Sequence, residues 1–367
     1  MRQSKIAKKI GAALMVLVGI IIILFIALFV WLIINSPGKP QPFVDAQGNI
    51  IANSIAEKGY IDVNGGKLGF FIKGRDINNP VLLYLHGGMP DYFLTQQYPT
   101  GLDSIFTVVW WEQRGAGMSC KAGGKDRKVT IDDLVSDTKA MTDYLRSRFA
   151  QDKIYLMAHS GGTYLGVKVI ARYPELYTAY IGVAQITYQK LSEKLAYDYI
   201  LEQYAQDSGK QKYYEIFKSH PVVITEPVPI EYTRIRDLAM HDLGIGTMHN
   251  MKNVVTGLFI PSLLFKEYSL ADKINLWKGK AGSGISIMWN EMMQHDLAQE
   301  NTTFAIPVYI LHGTFDYTCS YQLSKQYFDK ISAPAKGFYS FSNSAHSPIF
   351  EEPGECIKVI KENILNR

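Results

Sequence analysis

Three side chains able to act together stand far apart in this chain. Ser160 lies in Met157-Ala158-His159-Ser160-Gly161-Gly162-Thr163, Asp316 closes Leu311-His312-Gly313-Thr314-Phe315-Asp316, and His346 lies in Ser344-Ala345-His346-Ser347-Pro348. A serine hydroxyl is a weak nucleophile at neutral pH, so it needs an imidazole base. The imidazole in turn needs a carboxylate that fixes its tautomer and stabilises its charged form. The context small-x-Ser-x-Gly fits a sharp strand-to-helix turn that pushes Oγ into the open, and Ala158 is small enough to stand where Gly is usual. Taken singly, each residue has an ordinary explanation: a solvated serine in a glycine-rich turn, an aspartate in a loop, a surface histidine. Together, in the order Ser, Asp, His, they point to acyl transfer through an acyl-enzyme, a reaction that needs neither metal nor organic cofactor.

Acyl transfer also requires donors for the developing oxyanion, and backbone N–H groups serve because they are fixed before reaction begins. Gly161, directly after the serine, supplies one. The turn His86-Gly87-Gly88-Met89-Pro90 supplies the other, from Gly88 or from Met89.

These residues need a scaffold. Val81–Leu85, Phe106–Trp111, Ile154–Met157 and Pro307–Leu311 are short continuous apolar runs of the kind buried on both faces of a parallel sheet, and Gly337–Phe341 is strand-like. Thr130 and Asp133 have capping-box spacing and open an amphipathic helix to about Phe149. Strand, helix, strand in this order argues for parallel βαβ units. Ahead of them, β-rich runs at 60–63 and 68–72 around Asn64-Gly65 predict a hairpin. Residues 186–300 break the rhythm, with 191–204 and 261–276 helical or mixed, and read as an inserted helical cap.

From Ile10 to Ile34 every residue is apolar or Gly, more than the roughly 20 needed to span a bilayer. A cleaved signal peptide would have a shorter apolar region and a small-residue cleavage site, and neither is present. Arg2, Lys5, Lys8 and Lys9 precede the span and favour a cytoplasmic N-terminus, so the chain reads as single-pass with its catalytic domain extracytoplasmic. Those four cations equal the whole formal charge of +4. The rest is neutral with no basic patch, which excludes a nucleic-acid binder. With 47% apolar and 20% charged residues the chain is globular and not disordered. Cys120, Cys319 and Cys356 form no C-x-x-C pair, so they indicate neither a zinc site nor a disulfide framework; one bridge among them is left open.

At this point a resemblance becomes specific. His86-Gly87-Gly88-Met89-Pro90, Trp111-Glu112-Gln113-Arg114-Gly115-Ala116-Gly117-Met118-Ser119, His159-Ser160-Gly161-Gly162, Gly313-Thr314-Phe315-Asp316 and Ser344-Ala345-His346-Ser347-Pro348 with Glu351-Glu352-Pro353 resemble serine hydrolases of the α/β-hydrolase fold, of the proline iminopeptidase type. The resemblance implies a mostly parallel central sheet with helices on both faces and a cap. Combined with the pattern along the chain, this places the core over 56–185 and 301–367 and the cap over 186–300, while the apolar run gives an anchor at 1–35 and the Pro-, Gly- and Asn-containing residues 36–55 read as a stalk. It implies the triad Ser160, Asp316 and His346, and a mainly structural role for Glu112 and Arg114. Two departures are plain. The family's turn reads His-Gly-Gly-Pro-Gly, and its Trp-x-x-Trp-Glu cap segment, near which cap glutamates bind a substrate's free amino terminus, has no counterpart at Gln185-Ile186-Thr187-Tyr188-Gln189. The expectation is a membrane-anchored hydrolase of peptide amides or small acyl esters, acting on a small molecule or short peptide. The alternatives are a carboxylesterase or lipase with an apolar cap face at Leu258-Phe259-Ile260 and Leu263-Leu264-Phe265, or a ligand-binding sensor on the same fold.

Overall fold

The computed structural model describes residues 2–123, 129–282 and 288–366. Its strands are β1 (Ile55–Val63), β2 (Gly66–Gly74), β3 (Val81–Leu85), β4 (Thr107–Trp111), β5 (Ile154–His159), β6 (Tyr177–Val183), β7 (Val308–Gly313) and β8 (Lys336–Phe341). They form one sheet in the order β1-β2-β4-β3-β5-β6-β7-β8. β2 runs antiparallel to both neighbours, and every pairing from β4 to β8 is parallel. The hairpin falls where Asn64-Gly65 puts it. Val63 pairs with Gly66, and Asn64 and Gly65 take φ values of 46° and 74°, the positive angles a two-residue type I′ loop requires.

The helices that matter below are α1 (Arg2–Ile34), α2 (Ile131–Phe149), α3 (Gly161–Arg172), α4 (Gln189–Ala205), α5 (Gln211–Ser219), α6 (Ile230–Asp242), α7 (Ile260–Leu264) and α8 (Leu270–Gly282). Thr130 and Asp133 exchange hydrogen bonds as the expected capping box. Leu83, Leu85, Leu156 and Val109 face α2 and α3 through Leu134, Met141, Leu145 and Leu165. The intervening residues Leu82, Tyr84, Met157 and Ile181 face Ile349, Phe350 and Ile360 near the C-terminus. Helices thus cover both faces, and each buried Leu or Ile contributes about 1.5–3 kcal/mol relative to exposure. Among the described residues no sheet strand interrupts the helices between β6 and β7. Within that insertion α4, α5 and α6 hold a core of their own, built on Ala196, Ile200, Phe217 and Tyr232.

Residues Lys9–Ile34 of α1 form a 26-residue stretch long and apolar enough to cross a membrane, with none of its most apolar part buried. Directly after it, Gly38 and Gln41 hydrogen-bond to Lys266 and Glu267, so this part of the segment read as a stalk lies against the insertion. Cys120, Cys319 and Cys356 are all free thiols, the latter two buried, which removes the bridge left open above.

Candidate active site

β5 ends at His159 and α3 begins at Gly161, so Ser160 occupies the turn by itself with φ 55° and ψ −128°. A side-chain-bearing residue pays about 1–3 kcal/mol to sit in such a region. Its N–H donates to Val183 O on β6 (3.0 Å), and its carbonyl receives Thr163 N–H (2.8 Å) and Oγ1 (2.6 Å). Sheet and helix together hold the strained angle. Gly161 is the first residue of α3, so its N–H has no acceptor within the helix.

The turn after β3 lies against this serine. A Cβ on Gly87 would stand 2.7 Å from Ser160 Cβ, whereas one on Gly88 would meet no atom of the described residues within 4 Å. His86 anchors the turn from behind: Nδ1 donates to Gly87 O (2.8 Å), Nε2 accepts from Gln113 N–H (3.1 Å), and Gln113 Nε2 returns a bond to His86 O (2.8 Å). Burial pushes the His86 pKa down to about 4, so the ring stays neutral as these bonds demand. Gln113 belongs to the Trp111–Ser119 motif, whose neighbours are equally structural. Arg114 donates to both carboxylate oxygens of Asp137 and to carbonyls at Val63 and Ala122. Glu112 accepts from Met118 N–H and Tyr268 OH.

Asp316 and His346 come together because β7 ends in Gly313, where a Cβ would strike Ala345 O at 2.0 Å. Only a glycine lets the two loops touch. Asp316 Oδ2 accepts from His346 Nδ1 (2.9 Å) and His312 Nε2 (3.0 Å), while Oδ1 accepts from the N–H groups of Thr318 (2.8 Å) and Cys319 (3.0 Å). Burial works to raise its pKa, but the two imidazoles outweigh it and hold the carboxyl far below its ordinary value. The His346 pKa is lowered, chiefly by burial, with Asp316 opposing. Glu351 grips the same loop, accepting from Ala345 N–H (3.0 Å) and Ser347 N–H (3.1 Å), and Glu352 accepts from Ser344 Oγ (2.7 Å).

A cavity of about 250 Å³ is lined by Gly87, Gly88, Met89, Ser160 and His346, with Asp91, Phe93, Leu94, His159, Leu258 and Lys280. Of the residues expected from sequence, Ser160, His346, Gly88 and Met89 line it. Asp316 stands behind His346, and Gly161 follows the serine into α3. Sequence reasoning passed over Asp91 and His159. Asp91 Oδ2 accepts from Tyr84 OH (2.7 Å) and His159 Nδ1 (3.0 Å), and its buried Oδ1 has no partner among the described residues. A carboxylate immediately after the glycine turn was the available signal.

This topology and site can be set beside known proteins. The family described as "Serine aminopeptidase, S33" matches residues 81–204. The probable aminopeptidase YbaC of Bacillus subtilis (strain 168) is 29% identical over 302 residues, spanning 82% of this chain and 93% of the relative. A proline iminopeptidase-related protein from Thermus thermophilus superposes with a TM-score of 0.57 at 20% identity, over 84% of this chain and 96% of that one. This chain has the α/β-hydrolase fold. The breadth of the fold is also evident. A thermophilic esterase from Thermogutta terrifontis matches with a TM-score of 0.51 at 16% identity, over 84% of this hydrolase and 98% of the esterase.

Proposed function

We propose that this α/β hydrolase is a membrane-anchored serine hydrolase that cleaves peptide amides or small acyl esters. Ser160 Oγ attacks the carbonyl, and His346 takes its proton and delivers it to the leaving group. Asp316 orients the ring and stabilises its charged form. Water then releases the acyl group with the same base. The N–H of Gly161 and one from Gly88 or Met89 hold the oxyanion. The observation that carries this reading is the buried bond of His346 Nδ1 to Asp316 Oδ2, with the same imidazole lining one cavity beside a serine in a strained elbow. α1 supplies the anchor, with the N-terminus cytoplasmic and the catalytic domain outside.

The names of the S33 family and of YbaC favour peptide amides. Two features, one in the insertion and one in the pocket, favour the second reading, apolar acyl esters. Glu193, the buried acid of cap helix α4, is held in a two-pronged pair by Arg236 Nε (2.6 Å) and Nη2 (2.7 Å), so it offers no free charge to a substrate ammonium. Meanwhile Met89, Phe93, Leu94 and Leu258 give the cavity apolar walls. The test is labelling of the full-length protein by a fluorophosphonate, expected for the parent and lost in Ser160→Ala and His346→Ala. A folded parent that stays unlabelled refutes an activated serine. Turnover of prolyl amides against p-nitrophenyl esters then separates the two substrate classes.

A further inference from the structure

The chain leaves α1 and is tied at once to the insertion. Lys273 Nζ donates to Asn35 O (2.8 Å) and Leu263 O (2.6 Å), Gly38 N–H donates to Lys266 O (3.1 Å), and Pro37 bridges to Ser269. Lys58 of β1 reaches Gly38 O (3.2 Å) and Asp272 Oδ2 (2.6 Å). The stretch 263–273 therefore lies within hydrogen-bond reach of the end of α1.

A spanning α1 gives that end a defined depth. Its 26-residue apolar stretch is about 39 Å long at ~1.5 Å per residue, against a hydrocarbon core of ~30 Å. Asn35 then sits among the lipid headgroups, and so does whatever is bonded to it.

The adjoining segment turns an apolar face outward. In the helical turn Val255–Phe259 and in α7, Gly257, Leu258, Pro261 and Ser262 point inward, while Val255, Phe259, Ile260 and Leu264 are exposed, as is Ile274 on α8. Outside α1, thirteen large apolar residues are exposed among the described residues, and these five fall within 255–274. Such clustering marks a contact surface and not random surface composition. Exposed Lys252, Lys266 and Lys278 flank the patch, with stems and charges suited to the headgroup level.

We propose that Val255, Phe259, Ile260, Leu264 and Ile274 are buried at the boundary between headgroups and acyl chains of the bilayer that α1 crosses. The inference rests on the anchored reading above. Leu258, on the inner side of the same segment, lines the cavity of Ser160. The segment is thus a lid shared by membrane and pocket, and it favours amphiphilic acyl substrates that partition into the bilayer.

The test uses the full chain in phosphatidylcholine vesicles, carrying Cys120→Ser and one added cysteine labelled with a nitrobenzoxadiazole fluorophore. The positions are Leu24→Cys in α1, Ile260→Cys in the lid and Gln326→Cys on the helix Tyr321–Lys330. That last helix lies beside β8, the sheet edge opposite β1, on the order of 30 Å away at ~4.8 Å per strand. Doxyl-labelled lipid is expected to quench the labels at 24 and 260 at least twofold and to spare the one at 326. Quenching at 24 alone overturns the docking and leaves the anchor standing, whereas quenching at none refutes both. In parallel, Phe259→Ser with Ile260→Ser is expected to lower hydrolysis of a vesicle-borne long-chain p-nitrophenyl ester several-fold without changing p-nitrophenyl acetate turnover. Equal losses on both esters, or none, overturn delivery from the bilayer.

Discussion

His159 Nε2 lies 2.9 Å from the carbonyl oxygen of His346, and its Nδ1 lies 3.0 Å from Asp91 Oδ2, so both ring nitrogens face acceptors. Only a doubly protonated ring satisfies both. Burial opposes that charge, but Asp91, together with the His346 carbonyl and Asp316, outweighs burial and the His159 pKa is raised. The two imidazole centroids are 5.0 Å apart, and the neighbouring positive charge helps keep His346 neutral, beside the larger effect of burial and against Asp316.

A pH profile follows from that pairing. His346 accepts a proton only when neutral, so kcat/KM falls as pH drops through its pKa, which lies below 6.5. His159→Gln removes the adjacent charge while keeping a donor for His346 O. The acid limb is expected to move upward, with the plateau little changed. An acid limb that stays in place would show that His346 does not sense this charge.

Asp316→Asn keeps an acceptor for Thr318 and Cys319 but presents an amide to His346 Nδ1, which reverses the ring's tautomer. Loss of a triad carboxylate in this way lowers kcat by about 10³–10⁴. Steady-state rates and fluorophosphonate labelling are expected to fall together while the thermal midpoint moves only a few degrees. A variant retaining a tenth of the parent rate would remove Asp316 from the mechanism.

The strand ends and elbow were readable because their determinants are local. Asn64-Gly65 dictates its own turn, Thr130 and Asp133 cap their own helix, and Ser160 sits among small residues that tolerate a strained angle. The Asp91–His159 pair was not readable, because the residues are 68 apart and meet only once β3 and β5 lie side by side. The segment 255–274 was half legible: the apolar run from Leu258 to Phe265 could be seen, but the bond of Lys273 to Asn35, which places it beside α1, joins residues 238 apart. Nor does residue order reveal that Glu351, inside a recognised motif, hangs the His346 loop from its carboxylate.

Arg236 and Glu193 tie α6 to α4 within the insertion between β6 and β7, with Tyr232 OH donating to the same carboxylate (2.9 Å). Gln189, on the first turn of α4, donates to Glu193 (3.0 Å) and to Thr318 O (2.8 Å), so the pair is connected to the loop carrying Asp316. Arg236→Met strands a carboxylate that is nearly inaccessible, and breaking a buried pair from one side costs about 3–5 kcal/mol. Denaturant unfolding is expected to show that loss, and Glu193→Met added to Arg236→Met to recover most of it. Failure of the double variant to recover would mean that the pair itself, and not its stranded half, stabilises the insertion.

Glu112 makes the stability of the fold depend on pH, with a sign set by where the proton goes. Burial raises its pKa to about 7, against the opposing bonds from Tyr268 and Met118. The folded state therefore binds this proton more tightly than the unfolded chain, whose value is 4.5. Its stabilising contribution is complete below 4.5 and is lost as pH rises through 7. Glu112→Gln mimics the protonated form at every pH: the amide oxygen accepts from Met118 N–H, and the amide nitrogen donates to the Tyr268 oxygen. Parent and variant should unfold at similar denaturant concentrations at pH 5. By pH 8.5 the variant should be ahead by up to about 3 kcal/mol, the equivalent of the raised pKa. A gap that is constant across this range would mean that Glu112 stays ionised in the fold, bound to its two donors as a carboxylate.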